Sequence, residues 1–439
     1  MSNVHTPLPE AAAPAPISFS HLGLHDAVLQ ALTEAGYVAP TPVQAAAIPP
    51  ALAGADLMVS SATGSGKTAA FVLPFLHRLA HSDSRAVPGQ GPRVLVLTPT
   101  RELSSQVTRA CDTYGKALRW LRTATVVGGV AYGAQLKAVR GQVDVLIATP
   151  GRLLDLLDGG RLSLSRVEVL VLDEADRMLD MGFVDDIQAI ARATPATRQT
   201  LLFSATLDDR TDRLARGLMN APRRLAVAPS RERQGDITQR LHWADSRSHK
   251  QALLDRLLRD KTIDQAIVFT STQVDAERLA ASLADAGHPA AALHGGMPQG
   301  QRTRTMTALR QRRLRVLVAT DVAARGIDVA TVSHVINYGL PMRAEDYVHR
   351  IGRTGRAGRT GLAVTLAEHS EASRIRSIER FTRHPIPVET LSGLEPRRAA
   401  APTARRGAQP RSRTALADDA SRAGFGRDHG RGAQHKRAR

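Results

Sequence analysis

Short, nearly continuous aliphatic runs recur along the chain: Val94 to Leu97, Val145 to Ile147, Val169 to Leu172, Leu201 to Phe203, then Ile267 to Phe269, Val316 to Val318 and Val335 to Ile336. A strand with one face in water alternates apolar with polar residues. These runs do not alternate, so each is expected to be buried on both faces, as in parallel sheet covered by helices. Amphipathic stretches such as Arg101 to Leu121 and Asp275 to Ala286 supply covering helices. The runs thin out between about Asp208 and Ser248, a polar span with Pro222, Pro229 and the charged Arg231 to Arg233. The expected fold class is α/β, with two tandem parallel-sheet domains. A chain of 439 residues that is 43% hydrophobic has the material for two such cores.

Charge narrows the choice of partner. Lys and Arg number 59 against 41 Asp and Glu, a net +18 that favours long contact with a polyanion, nucleic acid first. Aromatic residues make up only 3%, which argues against stacking base after base and for gripping the sugar-phosphate backbone with little sequence specificity. Residues 396–439 hold eleven Arg, one Lys and three Asp, or +9, half the net charge. They are expected to be a disordered basic tail, either an accessory RNA tether or a solubilising end. The lone Cys111 builds neither a disulfide framework nor a cysteine zinc site. No apolar run approaches the roughly 20 residues of a membrane helix, and residues 1–16 do not resemble a signal peptide, so a cytoplasmic protein with no membrane contact is expected.

The run Leu57 to Val59 leads into Ser61-Ala-Thr63-Gly64-Ser65-Gly66-Lys67-Thr68 and then an apolar, helix-like stretch. Such a loop aims backbone N–H groups at phosphates, Lys67 reaches the outer phosphates and the Thr68 hydroxyl ligates Mg²⁺. Ser61 stands where the general pattern has glycine; it either adds a hydroxyl near the phosphates or satisfies a neighbouring backbone group. Val169 to Leu172 ends in Asp173-Glu174-Ala175-Asp176. A strand delivering carboxylates at its C-terminal end suits Asp173 as an Mg²⁺ ligand and Glu174 as the group that orients and deprotonates the attacking water. Together the two motifs specify ATP or GTP hydrolysis. Gln44, whose amide can pair with adenine N6 and N7, favours ATP, although it could also be a solvated helix residue.

The second half has no phosphate loop: the strand Ala266 to Thr270 is followed by Ser-Thr-Gln-Val. It carries instead His349-Arg350-Ile-Gly-Arg353-Thr-Gly-Arg356. Always-charged guanidinium groups stabilise γ-phosphate charge in transfer reactions, so Arg353 and Arg356 are expected to act on ATP held by the first domain. A surface patch for RNA phosphates is the alternative. Arginines supplied across a cleft make hydrolysis conditional on closure.

In this order, over roughly residues 17 to 385, the motifs resemble those of the DEAD-box ATP-dependent RNA helicases of superfamily 2. The resemblance implies two RecA-like domains, in residues 46–225 and 248–395, joined by a linker region at 226–247 and preceded by a segment at 17–45 containing Phe19 and Gln44. It implies that Phe19 stacks on adenine, that Asp328, with Gly326, lies against the ribose, and that Thr63 to Thr68 hold the phosphates. Pro99, Thr100, Arg101, Gly129, Thr149, Pro150, Gly151 and Arg152 would face RNA in the first domain, and Thr270, Gly295 and Thr320 in the second. Ser204, Ala205 and Thr206, with Asp176, His349 and Arg350, would couple hydrolysis to unwinding, Arg350 by tying the second domain to the acidic motif. The bacterial RhlE-type subgroup looks closest, and a monomer working on ribosomal precursors or with RNA-decay proteins is expected. A DNA helicase of the same superfamily and a non-hydrolysing ATP-gated RNA clamp are the alternatives.

Overall fold

A computed structural model of the chain describes residues 18–61, 64–82, 86–227, 237–324, 329, 331–355 and 359–397. In order, the elements of the first half are α1 (Asp26–Glu34), α2 (Pro42–Leu52), β1 (Leu57–Ser60), α3 (Lys67–His81), β2 (Val94–Leu97), α4 (Arg101–Tyr114), β3 (Thr123–Val126), α5 (Tyr132–Arg140), β4 (Val145–Ala148), α6 (Pro150–Asp158), β5 (Val169–Asp173), α7 (Ala175–Asp180), α8 (Val184–Arg192), β6 (Gln199–Ser204), α9 (Asp209–Leu218) and β7 (Arg223–Ala226). The second half has β8 (Ile237–Ala244), α10 (Arg247–Leu258), β9 (Gln265–Thr270), α11 (Gln273–Asp285), β10 (Ala290–Leu293), α12 (Gln299–Arg310), β11 (Val316–Thr320), α13 (Asp321–Ala324), β12 (Val332–Asn337), α14 (Ala344–Ile351), β13 (Gly361–Glu368) and α15 (Ala372–Thr382).

Among the described residues these strands form two sheets, ordered β3-β4-β2-β5-β6-β1-β7 and β10-β11-β9-β12-β13-β8, with every pairing parallel. The aliphatic runs occupy the interior: β2, β4, β5, β6, β9 and β11 are buried along their whole length. Each half therefore has an apolar layer on both faces of its sheet.

The strands that composition did not reveal are mostly at edges. β3, β7, β8 and β10 are the outer strands of their sheets, β8 being bridged on its far side at Leu241 to Val388, so their residues need not be uniformly apolar. β8 corrects one boundary: it falls inside the span assigned to the linker, yet pairs with β13 over eight residues as the outer strand of the second sheet. Its polar Thr238, Gln239 and Arg240 hid it. Gln239 has a use, since its side chain accepts a 2.8 Å hydrogen bond from the hydroxyl of Tyr347. That bond and the full burial of Tyr347 fix α14 against the sheet.

Candidate active site

The C-terminal edge of the first sheet divides into two stretches. The loops after β1, β5 and β6, which are adjacent strands, gather the phosphate loop, the acidic residues and Ser204 to Thr206. The loops after β3, β4 and β2 gather Gly129, Thr149 to Arg152 and Pro99 to Arg101 beside them. Crossover connections put the ligand-bearing loops of a parallel sheet at this edge, so strand order alone sorts the residues expected at nucleotide from those expected at RNA. The second sheet is sorted likewise. Thr270 and Thr320 end the paired strands β9 and β11, and Gly295 follows their neighbour β10, whereas His349 and Arg353 follow β12.

At the phosphate loop, the Lys67 ammonium donates to the Ser61 carbonyl at 2.8 Å and is buried. The Ser61 hydroxyl lies 2.7 Å from that of Ser65, so it bridges to a side chain across the loop. Gly66 begins α3 with φ of +96°, and a Cβ there would lie 2.5 Å from Gln44 Nε2. Gln44 is buried, ruling out the solvated reading: its Nε2 donates to the Gly66 carbonyl at 3.1 Å and its Oε1 accepts from Thr41 N at 2.9 Å. One N–H and one lone pair of the amide remain, the set that adenine N7 and N6 require. Gly66→Ala combines a left-handed backbone with that close approach. At about 1–2 kcal/mol for the conformation, ATP affinity should fall roughly tenfold, measured with a fluorescent nucleotide, while the melting temperature changes little.

Phe19 departs from expectation. It is 4% exposed and packed in the apolar cluster of the first domain with Leu22, Val28 and Val43, so its ring has no open face on which a base could stack.

The acidic residues differ sharply from one another. Burial pushes Asp173 up to about 7, helped by the charge on Glu174. Burial would raise Glu174 too, but Arg177, and then Arg353 and Lys67, hold it down to about 2. Arg177 makes a salt bridge to Glu174, and Glu174 caps α7 at φ 52° and ψ 54°, a left-handed conformation that costs a non-glycine residue about 1–3 kcal/mol and is characteristic of functional sites. Asp176 reaches the coupling segment directly: its Oδ2 accepts from the backbone N–H groups of Ala205 and Thr206 at 3.2 and 3.3 Å and from the Thr206 hydroxyl at 3.4 Å. The Ser204 hydroxyl in turn donates to the Thr206 carbonyl and lies 3.4 Å from Asp176 N. Any shift of α7 therefore moves Ser204 to Thr206.

The second half faces this cluster with α14 and the turn after it. Arg353 is buried, donates to the His349 carbonyl at 3.1 Å, and is near enough for its charge to act on Glu174. Burial, and then Arg177, holds His349 down to about 4, so its imidazole is neutral near pH 7. Arg350 corrects another expectation. Its guanidinium is bound within its own half, to Asp321 at 2.5 and 2.7 Å, to Asn337 Oδ1 at 3.1 Å and to the Gly339 carbonyl at 2.5 Å, with its plane over Phe269. It holds α14 in place and does not reach the acidic motif. Arg350 and Arg353 thus do not share one cationic edge. Thr63, Gly326, Asp328 and Arg356, with residues 1–17 and the basic tail, lie outside the described residues.

Sequence reasoning missed the residues that join the halves at the edge expected to face RNA. Arg302 of α12 makes a buried salt bridge to Glu102 of α4, with Nε at 3.0 Å, and also donates to the His294 carbonyl at 2.7 Å. Next to it the Arg101 guanidinium rests on the backbone of Gly129, where a Cβ would collide with it, and donates to Gln299 at 2.7 Å. Arg343, just before α14, pairs with Asp180 at the end of α7, which Arg210 also holds. In sequence, Gln299 and Arg302 look like any solvated helix residues. Glu102→Gln should favour the open cleft, where Arg302 regains water, so the loss is limited to about 1–2 kcal/mol and appears as a roughly tenfold higher RNA concentration for half-maximal ATPase.

Residues 41–214 match the DEAD/DEAH box helicase family and residues 249–358 the helicase conserved C-terminal domain. The chain is 41% identical over 378 residues to the ATP-dependent RNA helicase DeaD of Mycobacterium tuberculosis, covering 86% of this chain but 66% of that protein. It is 42% identical over 382 residues to the ATP-dependent RNA helicase SrmB of Escherichia coli, covering 87% and 85%. Saccharomyces cerevisiae Dbp5 bound to RNA and ADP BeF3 superimposes with a TM-score of 0.75 at 31% identity, over 85% of this chain and 95% of that one. With both helicase regions matched in order and a relative aligned along most of its own length, the chain belongs to the DEAD-box ATP-dependent RNA helicases.

Proposed function

We propose that this chain hydrolyses ATP when RNA closes its two RecA-like halves, and that closure locally unwinds duplexes or remodels RNA–protein complexes. The observation that carries the reading is that the half without a phosphate loop is bound to the half that has one through Arg302–Glu102 and Arg343–Asp180, with the charge of buried Arg353 acting on Glu174. Hydrolysis then requires both halves, and the same closure brings the two RNA-facing edges together through Arg302 and Glu102.

Lys67 and the N-terminus of α3 bind the phosphates, and Gln44 selects adenine. Asp173 and the Thr68 hydroxyl, at the start of α3, fit Mg²⁺: both are oxygen donors, and the burial that raises Asp173 marks a carboxylate whose charge Lys67 offsets only in part. Mg²⁺, when bound, neutralises charge on the transferring phosphoryl group. Glu174 stays ionised and orients the attacking water; held low chiefly by Arg177 and then by Arg353, it is a weak base, and drawing Arg353 to the phosphate relaxes part of that hold. Asp176 passes the change to Ser204 through Thr206. In the groove, Arg101, Gly129, Thr149 to Arg152, Thr270, Gly295 and Thr320 take backbone phosphate and 2′-OH groups, which distinguishes RNA from DNA without reading bases.

Comparing RNA with DNA as stimulators of ATP hydrolysis tests this. RNA should raise turnover at least tenfold more than DNA, and stronger stimulation by DNA would sink the proposal. Placement in the RhlE-type subgroup rests on the basic composition of residues 396–439. Among the described residues no helix is long and apolar enough to cross a membrane, in keeping with a cytoplasmic role on ribosomal precursors or in RNA decay.

A further inference from the structure

The outer face of α15 has electrostatics that its own fold does not explain. Its inner stripe, Ile375 and Ile378, packs into the cluster formed by Leu241, Tyr347, Ile351 and Ala363. The other side exposes Arg374, Arg376 and Arg380, and Arg383 and His384 follow the helix. Among the described residues none of these four arginines has a carboxylate partner. The helix's single acid, Glu379, instead accepts the backbone N–H of Ile386 at 3.0 Å. A helix favours anions in its first turn and cations in its last. Arg380 and Arg383 obey that rule, but the first turn has no acid and contains Arg374. Arg376 and Arg380, four apart, also repel each other. Beside them Phe381 is 44% exposed, whereas Phe71, Phe75, Phe203 and Phe269 are fully buried.

Water alone offsets these charges in the free chain, and a polyanion is the partner with the matching chemistry. The helix is also suitably placed. β13 ends at the same C-terminal edge as Thr270 and Thr320, and a short turn, His369–Glu371, leads straight into α15. Arg374 thus sits within one helical turn of that edge, and the following arginines continue away from it for about 15 Å at 1.5 Å per residue.

We infer that this arginine face is a second RNA-binding surface, separate from the groove, that holds the phosphate backbone of RNA flanking the segment in the groove, with Phe381 offering one ring to an unpaired base. The inference rests on the RNA-dependent ATPase reading and adds to it a site for longer substrates.

The test uses the full chain and the variant R374Q/R376Q/R380Q/R383Q, which leaves the catalytic and groove residues intact. ATPase is measured with a single strand of about 10 nucleotides, near the size one groove holds, and with the same strand extended at both ends. The variant should match the parent in kcat and in half-maximal concentration on the short strand, and require several-fold more of the long one. The slope of log affinity against log salt on the long strand should become shallower by roughly 0.7 for each phosphate no longer neutralised, about 2 to 3 in all. The pair R376Q/R380Q removes a repulsion inside the helix, so it cannot act by unfolding it, and should give about half the change. An unchanged slope and an unchanged half-maximal concentration on the long strand overturn the inference alone. A parent chain that neither RNA stimulates overturns the ATPase reading with it.

Discussion

Glu174→Gln should leave a protein that binds ATP and RNA, closes, and then stays closed. The substitution keeps the size of the side chain and leaves Lys67, Thr68 and Asp173 in place, so the phosphate loop is undisturbed. It removes the negative charge that orients the attacking water, and loss of such a group typically lowers turnover by about 10²- to 10⁴-fold. The left-handed backbone at this position is tolerated by Gln as well as by Glu, and the shape of α7 should survive. Arg177 loses its charged partner, so the melting temperature must be recorded beside the kinetics. Single-turnover hydrolysis should be slow, and RNA should dissociate far more slowly with ATP than with ADP. Normal steady-state turnover would show that Glu174 does not handle the water.

The grouping of the loops was legible because it depends on chain order and on which strands are adjacent. Aliphatic runs identified the interior strands, and in a parallel sheet their C-terminal ends share one edge, so Lys67, Asp173 and Ser204 had to meet once the sheet formed. What stayed hidden depends on the packing of individual side chains. Phe19 reads equally as a stacking platform or a core residue until its neighbours Leu22 and Val28 are seen around it. β8 reads as linker because an edge strand tolerates polar residues, one of which anchors Tyr347. The salt bridge between Glu102 and Arg302 joins residues 200 apart in sequence, and although Glu102 lies in the motif Pro99 to Leu103, no local pattern marks its partner.

Arginine spacing was the least informative feature, and it leads to the sharpest test. Arg350 and Arg353 are alike in sequence, yet their surroundings assign them opposite tasks. Arg350 is almost fully buried and saturated by Asp321, Asn337 and Gly339 of its own half. Arg353 is three residues on, past the end of α14, buried and within electrostatic reach of Glu174. Arg353→Ala should therefore leave ATP affinity and the melting temperature nearly unchanged while RNA-stimulated kcat falls about 10³-fold, the scale of an arginine supplied from across a cleft. Arg353→Lys should recover little, because a point charge does not reproduce the planar, forked donor. Arg350→Ala should behave as a folding variant: Asp321 is left without its partner, at a cost of about 3–5 kcal/mol, seen as a lower melting temperature of the second half. If Arg353→Ala hydrolyses ATP normally yet binds RNA weakly, the arginine belongs to an RNA patch and the conditional hydrolysis proposed here fails. If Arg350→Ala keeps its melting temperature while kcat collapses, the task given to Arg353 belongs to Arg350 instead.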